Sequence, residues 1–213
     1  ISMGLLVHIQ VDDRYRPGDI NAGSNKEMKI HTRVLGPSWV QADQLELFAN
    51  GHRILTRDLR PTAKIEKANL TFTLPRPAHD THLIAIATGP GITEPFWESP
   101  RPYVPTTPKH TPRVQGATNP IFIDGDGDGK YDAPRKQAQQ LFTQHARDLN
   151  ALFKALARYD QAVAAQAAAL LHQADHNLNA PTLRRHWTRT PSTQAGFTAY
   201  LGTMKSKPDN SGN

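Results

Sequence analysis

The sequence predicts a mainly β chain with an α tail, an antiparallel Ig-like β-sandwich followed by a helical hairpin. Three observations predict it. Apolar residues recur with a period of two between Leu5 and Ala87, interrupted by turn residues and never by a helical period. After Pro134 the period becomes 3.6. Between the two regions three aspartates alternate with glycine, from Asp124 to Gly129.

Taken in order, Leu5, Val7, Ile9 and Val11 alternate with Leu6, His8 and Gln10, which reads as a half-buried strand ended by Asp12-Asp13 and Pro17-Gly-Asp19. Met28, Ile30, Thr32 and Val34 repeat the alternation with one wet face. Leu45, Leu47 and Ala49 lead into Asn50-Gly51, a strong hairpin signal, with Ile54 and Leu55 on the return strand. Leu70, Phe72 and Leu74 alternate again, and the nearly continuous apolar run His82 to Ala87 predicts a strand covered on both faces.

Six prolines between Pro95 and Pro112 hold the backbone extended and exclude a central strand. Trp97 and Tyr103 within this strap are a possible ligand platform, since rings on a stiff segment can stack on sugars; the plainer use is to pin the strap down. Past Pro134, Ala138, Leu141, Phe142, His145, Leu149, Leu152, Phe153 and Leu156 form one apolar stripe. Asp160 reads as the cap of a second helix carrying Val163, Ala167, Leu170 and Leu171, and a weaker helix runs from Pro191 to about Met204. The expected domains are a sandwich over 1–123 including the strap at 95–112, an aspartate loop over 124–133, a helical hairpin plus short helix over 134–205, and a disordered tail over 206–213.

Charge places a boundary at the same point. Of 25 basic and 19 acidic residues, 10 and 4 lie after residue 133, so the whole net charge of +6 belongs to the helical part. No cysteine is present, which removes disulfides, thiolate metal sites and a cysteine nucleophile. No apolar run is long enough to span a membrane, and no basic-then-apolar leader precedes the first strand. A start at Ile1 reads as a fragment of a longer chain.

The aspartates carry the chemistry. Asp124, Asp126, Asp128 and Asp132 repel one another unless a cation lies among them, and oxygen ligands at this spacing suit Ca²⁺. In calcium-loop register the first three take positions one, three and five, Gly129 takes the sharp turn, Lys130 offers its backbone carbonyl, and Asp132 stands at position nine. The bidentate acid of the twelfth position is replaced by Arg135, and a strand precedes the loop, so this is a calcium-type loop outside an EF-hand. Asp-Gly repeats also form plain solvated turns. Other clusters read as structural: His172 with His176 at zinc-compatible spacing, His79 with His82, and the basic run Arg184 to Arg189. No nucleophile elbow, phosphate loop or dinucleotide fingerprint occurs, and no catalytic residue is assigned.

Several phrases occur together in the first two thirds: Gly4-Leu-Leu-Val7, Pro17-Gly-Asp19, Leu35-Gly-Pro-Ser-Trp-Val40, Ala49-Asn-Gly51, Leu74-Pro-Arg-Pro77 with His79-Asp80, Ala87-Thr-Gly-Pro-Gly91, and Gly116-Ala-Thr-Asn-Pro120. In this order residues 1–135 resemble the C-terminal part of PHP-type metallohydrolases of the carbaryl-hydrolase-like CehA/McbA family. The resemblance implies a parent metal-dependent hydrolase, often exported to the periplasm or beyond, whose upstream barrel holds catalytic divalent metals. That barrel's His-x-His pair is absent here, so none of its residues carries over.

The expected function is therefore a non-catalytic accessory domain, not an enzyme by itself, with structural calcium in its loop and the upstream catalytic domain as its partner. An alternative is a calcium-dependent carbohydrate- or surface-binding module using Trp97 and Tyr103. A weaker one is nucleic-acid or anionic-surface binding through the basic tail, where no recognisable nucleic-acid motif stands.

Overall fold

The computed structural model describes residues 2–90, 114–145 and 148–205. Trp97, Tyr103, the strap at 95–112 and the tail at 206–213 fall outside them. The chain divides into two compact units, Ile1–Pro77 with His82–Gly129, and Ala78–Thr81 with Lys130–Asn213.

The first unit is built from strands β1 (Ser2–Met3), β2 (Leu6–Val11), β3 (Ile20–Asn21), β4 (Glu27–Leu35), β5 (Gln44–Ala49), β6 (His52–Asp58), β7 (Glu66–Pro75), β8 (Thr81–Gly89), β9 (Val114–Ala117) and β10 (Ile121–Ile123). Strands β2, β4 and β7 form a three-stranded antiparallel sheet; the other seven form a second sheet. Alternation in the sequence becomes alternation in space. Val7, Ile9 and Val11 of β2 and Met28, Ile30 and Val34 of β4 are buried, while His8, Lys29 and Arg33 face water. These side chains share one core with Leu45, Leu47, Leu83, Ala85, Ala87, Ile121 and Ile123 of the other sheet. Each large apolar side chain removed from water in this way contributes about 1.5–3 kcal/mol.

Two expectations need correction. Strand β8 is not covered on both faces: Leu83, Ala85 and Ala87 are buried, whereas Ile84 and Ile86 stay half-buried. The larger sheet is mixed rather than antiparallel, because β10 pairs parallel to β3, Phe122 opposite Ile20 and Ile123 opposite Asn21. A two-residue strand is too short to show a period, and its partner is distant in sequence, as a parallel pair requires.

The second unit holds α1 (Pro134–His145), α2 (Leu149–Leu156), α3 (Gln161–Gln173), α4 (Pro181–Trp187) and α5 (Pro191–Lys205). The long stripe expected from 138 to 156 is broken into α1 and α2. Asp148 sits in an extended conformation and caps α2, its side chain accepting from Ala151 N at 3.1 Å. Asp160 caps α3 as its position suggests, accepting from Ala162 N at 2.9 Å and Val163 N at 3.0 Å. Helix α5 approaches α3 closely, since a β carbon on Gly196 would lie 2.5 Å from Gln161 O and 2.6 Å from Ala164 Cβ. The alanines of α3 make room for it. Leu152, Leu156, Val163, Leu171, Trp187 and Phe197 form the core of this unit.

Helix α4 was not legible as a helix. It spans 7 residues and has proline in its first turn with no side-chain cap. Its arginines, Arg184 and Arg185, are exposed, but His186 and Trp187 turn inward, and Trp187 Nε1 donates to Leu178 O at 3.0 Å. The indole is thus a core group, and a base could not stack on it in this fold.

His186 lies against Phe153 with ring centroids 5.5 Å apart, and its Nδ1 has no hydrogen-bond partner among the described residues. Burial, followed by the charges of Arg189 and Arg185, pushes its pKa below the ordinary 6.5. The unfolded chain therefore takes up this proton first as pH falls. The contribution of a neutral His186 is complete above pH 6.5 and is lost from there down toward the lowered folded value. Thermal melts of the helical unit should drop between neutral and mildly acid pH, and His186→Phe should flatten that slope. Parallel slopes in the two proteins would refute the assignment.

Candidate cation site

Strand β10 carries the chain out of the core of the β unit. Ile121 and Ile123 are fully buried, and Asp124 N donates to Asn21 O at 3.1 Å, extending the pairing with β3 by one residue. Asp124 is consequently a buried carboxylate, 2% exposed. The backbone then winds around it. Asp124 Oδ1 accepts from Gly127 N at 2.7 Å and Oδ2 accepts from Gly129 N at 2.8 Å. Both glycines have a φ of +81°, which a side chain would strain, so the alternation with glycine is what lets the loop close. Asp126 Oδ1 accepts from Asp128 N at 3.2 Å in an Asx turn.

The structure brings a carboxylate oxygen of Asp124 and one of Asp126 within 4.8 Å of each other. Asp128 is exposed and does not join both at that distance. A cation would have a buried first ligand already oriented by two amides, a second within reach, and a third one exposed turn away. Hard monodentate oxygens of this kind suit calcium or magnesium rather than a soft metal.

The remaining two residues of the predicted set belong to the helical unit. Lys130 is exposed. Asp132 is buried and engaged: Oδ1 accepts from Lys136 Nζ at 2.6 Å and Oδ2 from Gln140 Nε2 at 2.8 Å. The Lys136 hydrogen bond, outweighing burial, holds its carboxyl below the usual aspartate range. Asp132 N donates to Asp80 Oδ2 at 2.6 Å, and Gln137 Nε2 reaches both Asp132 O, at 2.6 Å, and Asp80 O, at 2.9 Å. These bonds tie the short segment Ala78–Thr81 to the start of α1.

Sequence reasoning missed Asp80, which is 2% exposed. Its signals were its place between His79 and His82 and its part in the phrase His79-Asp80. His79 Nε2 lies 3.3 Å from Asp160 Oδ2 in a geometry too poor for a hydrogen bond, and its ring is 5.2 Å from that of Tyr159. Burial, with Asp80 and Asp160 nearby, raises the Tyr131 phenol to about 12. The pair His172 and His176 does not form a helical zinc couple. Helix α3 ends at Gln173, and Asp175 takes a φ of +62°, so the four-residue spacing does not run along one helix face. His172 Nδ1 instead meets Tyr200 Oη at 2.8 Å.

No family model matches the chain, and no curated protein matches it. Among solved structures it is similar to the CARDB domain of PF1109 from Pyrococcus furiosus. Against a restrained CS-Rosetta solution NMR structure of that domain the identity is 16%, covering 57% of this chain and 95% of that one, with a TM-score of 0.31. Against a crystal structure of the domain in complex with di-metal ions it is 17%, covering 56% and 92%, with a TM-score of 0.30.

Proposed function

We propose that this chain is a non-catalytic accessory module in which an Ig-like β-sandwich ends in a calcium-binding loop of structural role and continues into a helical tail built on a helical hairpin. The ligands within the β unit are Asp124, Asp126 and Asp128. What carries the reading is the buried Asp124 carboxylate clasped by the amides of Gly127 and Gly129 beside Asp126. The ordered motifs of residues 1–135 support placing the module behind a PHP-type hydrolase barrel, where bond cleavage would occur.

Calcium that binds only the folded state adds RT ln(1 + [L]/Kd), about 2.7 kcal/mol at a hundredfold excess over Kd. The melting temperature of the β unit should therefore rise by several degrees with calcium over chelator. Asp126→Ala, at an exposed position, should lower the chelated melt only slightly through its lost Asx turn and should remove the rise with calcium. A wild-type melt indifferent to calcium would refute the site.

A further inference from the structure

The three-stranded sheet ends at β2, and the phase of its hydrogen bonds tells which backbone groups face outward. Asp12 N donates to Lys29 O at 2.8 Å, and antiparallel partners alternate between bonded and non-bonded pairs. Continuing that alternation, Gln10 with His31 and His8 with Arg33 carry the ladder. Val7, Ile9 and Val11 thus direct their N–H and C=O groups to the free edge. Val11 behaves accordingly, exchanging two bonds of 2.9 Å with Tyr15. At the other end of the strand Gly4 bridges Gln115. Between these closures Val7 and Ile9 have no backbone partner on the edge side among the described residues.

That open stretch lines a groove of about 570 Å³, with Arg16, Pro17, His31, Arg33, Thr118 and Asn119 among the other lining residues. No acidic side chain lines it among the described residues. Glu66 holds Arg33 at 2.6 Å and Asn69 meets His31 at 2.7 Å, so those two are braced, while Arg16 is exposed. An open strand edge is a template for a further strand, and main-chain bonds supply the affinity while side chains set the specificity. Here the lining sets the sign of the charge.

We propose that this groove binds an extended acidic peptide, which adds as a strand against the Val7–Ile9 edge and places carboxylates beside Arg16 and Arg33. The groove shares no residue with the aspartate loop, so its test is independent of calcium.

The probe is a fluorescein-labelled peptide of alternating glutamate and valine, titrated into the full chain by anisotropy, with amide hydrogen exchange followed residue by residue. Binding should slow exchange at Val7 and Ile9. It should weaken by about tenfold or more with Arg16→Glu, with lysine in place of glutamate, and with N-methylation of alternate peptide amides. The last change leaves the protein untouched, so misfolding cannot mimic it. Absence of binding at about 1 mM peptide, equal binding of the lysine or N-methylated peptides, or protection elsewhere would overturn the proposal. So would a heparin oligosaccharide protecting this edge when the peptide does not.

Discussion

Phe197→Ala should destabilise the helical unit by about 3–5 kcal/mol, the range for truncating a buried phenylalanine. The side chain is 0% exposed. It stacks on Trp187 at 5.6 Å and 14°, and meets Phe153 at 5.5 Å and 46°. Aromatic pairs of this kind add about 0.5–1.5 kcal/mol to the burial of their area. Phe197 also follows Gly196, where α5 comes closest to α3, so the lost volume lies where two helices have little freedom to close in. Against a total of about 5–15 kcal/mol for a typical domain, the loss is a large share. Urea unfolding followed by helical circular dichroism should show the midpoint falling by about 2 M. Phe197→Leu should restore most of it, and a fall below about 0.5 M for the alanine variant would show that the core collapses around the gap.

The second large effect is expected in the β unit. The Arg76 side chain is 9% exposed and gathers groups from three segments. It donates to Asn25 O at 2.9 Å, Asn21 Oδ1 at 3.2 Å and Asp12 Oδ2 at 3.3 Å, while Asn21 Nδ2 also donates to Asp12 Oδ2 at 3.0 Å. Arg76→Ala leaves a part-buried carboxylate, still bonded to Lys29 N and Asn21 Nδ2, and a buried amide oxygen without their common donor, a change that costs about 1–3 kcal/mol. Arg76→Lys should recover only part of this, because a point charge cannot reach all the acceptors of a planar fork.

The same substitution reaches the loop. Asn21 pairs with Ile123, and its carbonyl accepts from Asp124 N. Calcium affinity should therefore fall together with stability in Arg76→Ala, measured by calorimetric titration at a temperature where the variant is still folded. Unchanged affinity would show that Asp124 is held by Gly127 and Gly129 alone.

Particular residues explain how much could be read in advance. The inward faces of β2 and β4 were legible because Val7, Ile9 and Val11, or Met28, Ile30 and Val34, repeat every second residue. Asp160 could be read as a cap because capping needs only neighbours along the chain. The break between α1 and α2 could not be read, since the apolar stripe runs through it and Asp148 interrupts only the backbone. Asp80 was hidden for another reason. Its partner Asp132 is 52 residues away, and nothing local to Asp80 distinguishes it from any turn aspartate.

By itself, the sequence determined the two kinds of secondary structure, the change from one to the other near Pro134, and a loop of alternating aspartate and glycine with its sharp turn at Gly129. Periodicity and local backbone freedom are enough for those features, because each depends on residues a few positions apart. Only the tertiary structure decided the parallel pairing of β3 with β10, the gathering of Asp12, Asn21 and Asn25 around Arg76, and the stretch of β2 left open at its edge. Each depends on which distant segments come to lie side by side, and that follows from packing of the whole core rather than from any local pattern.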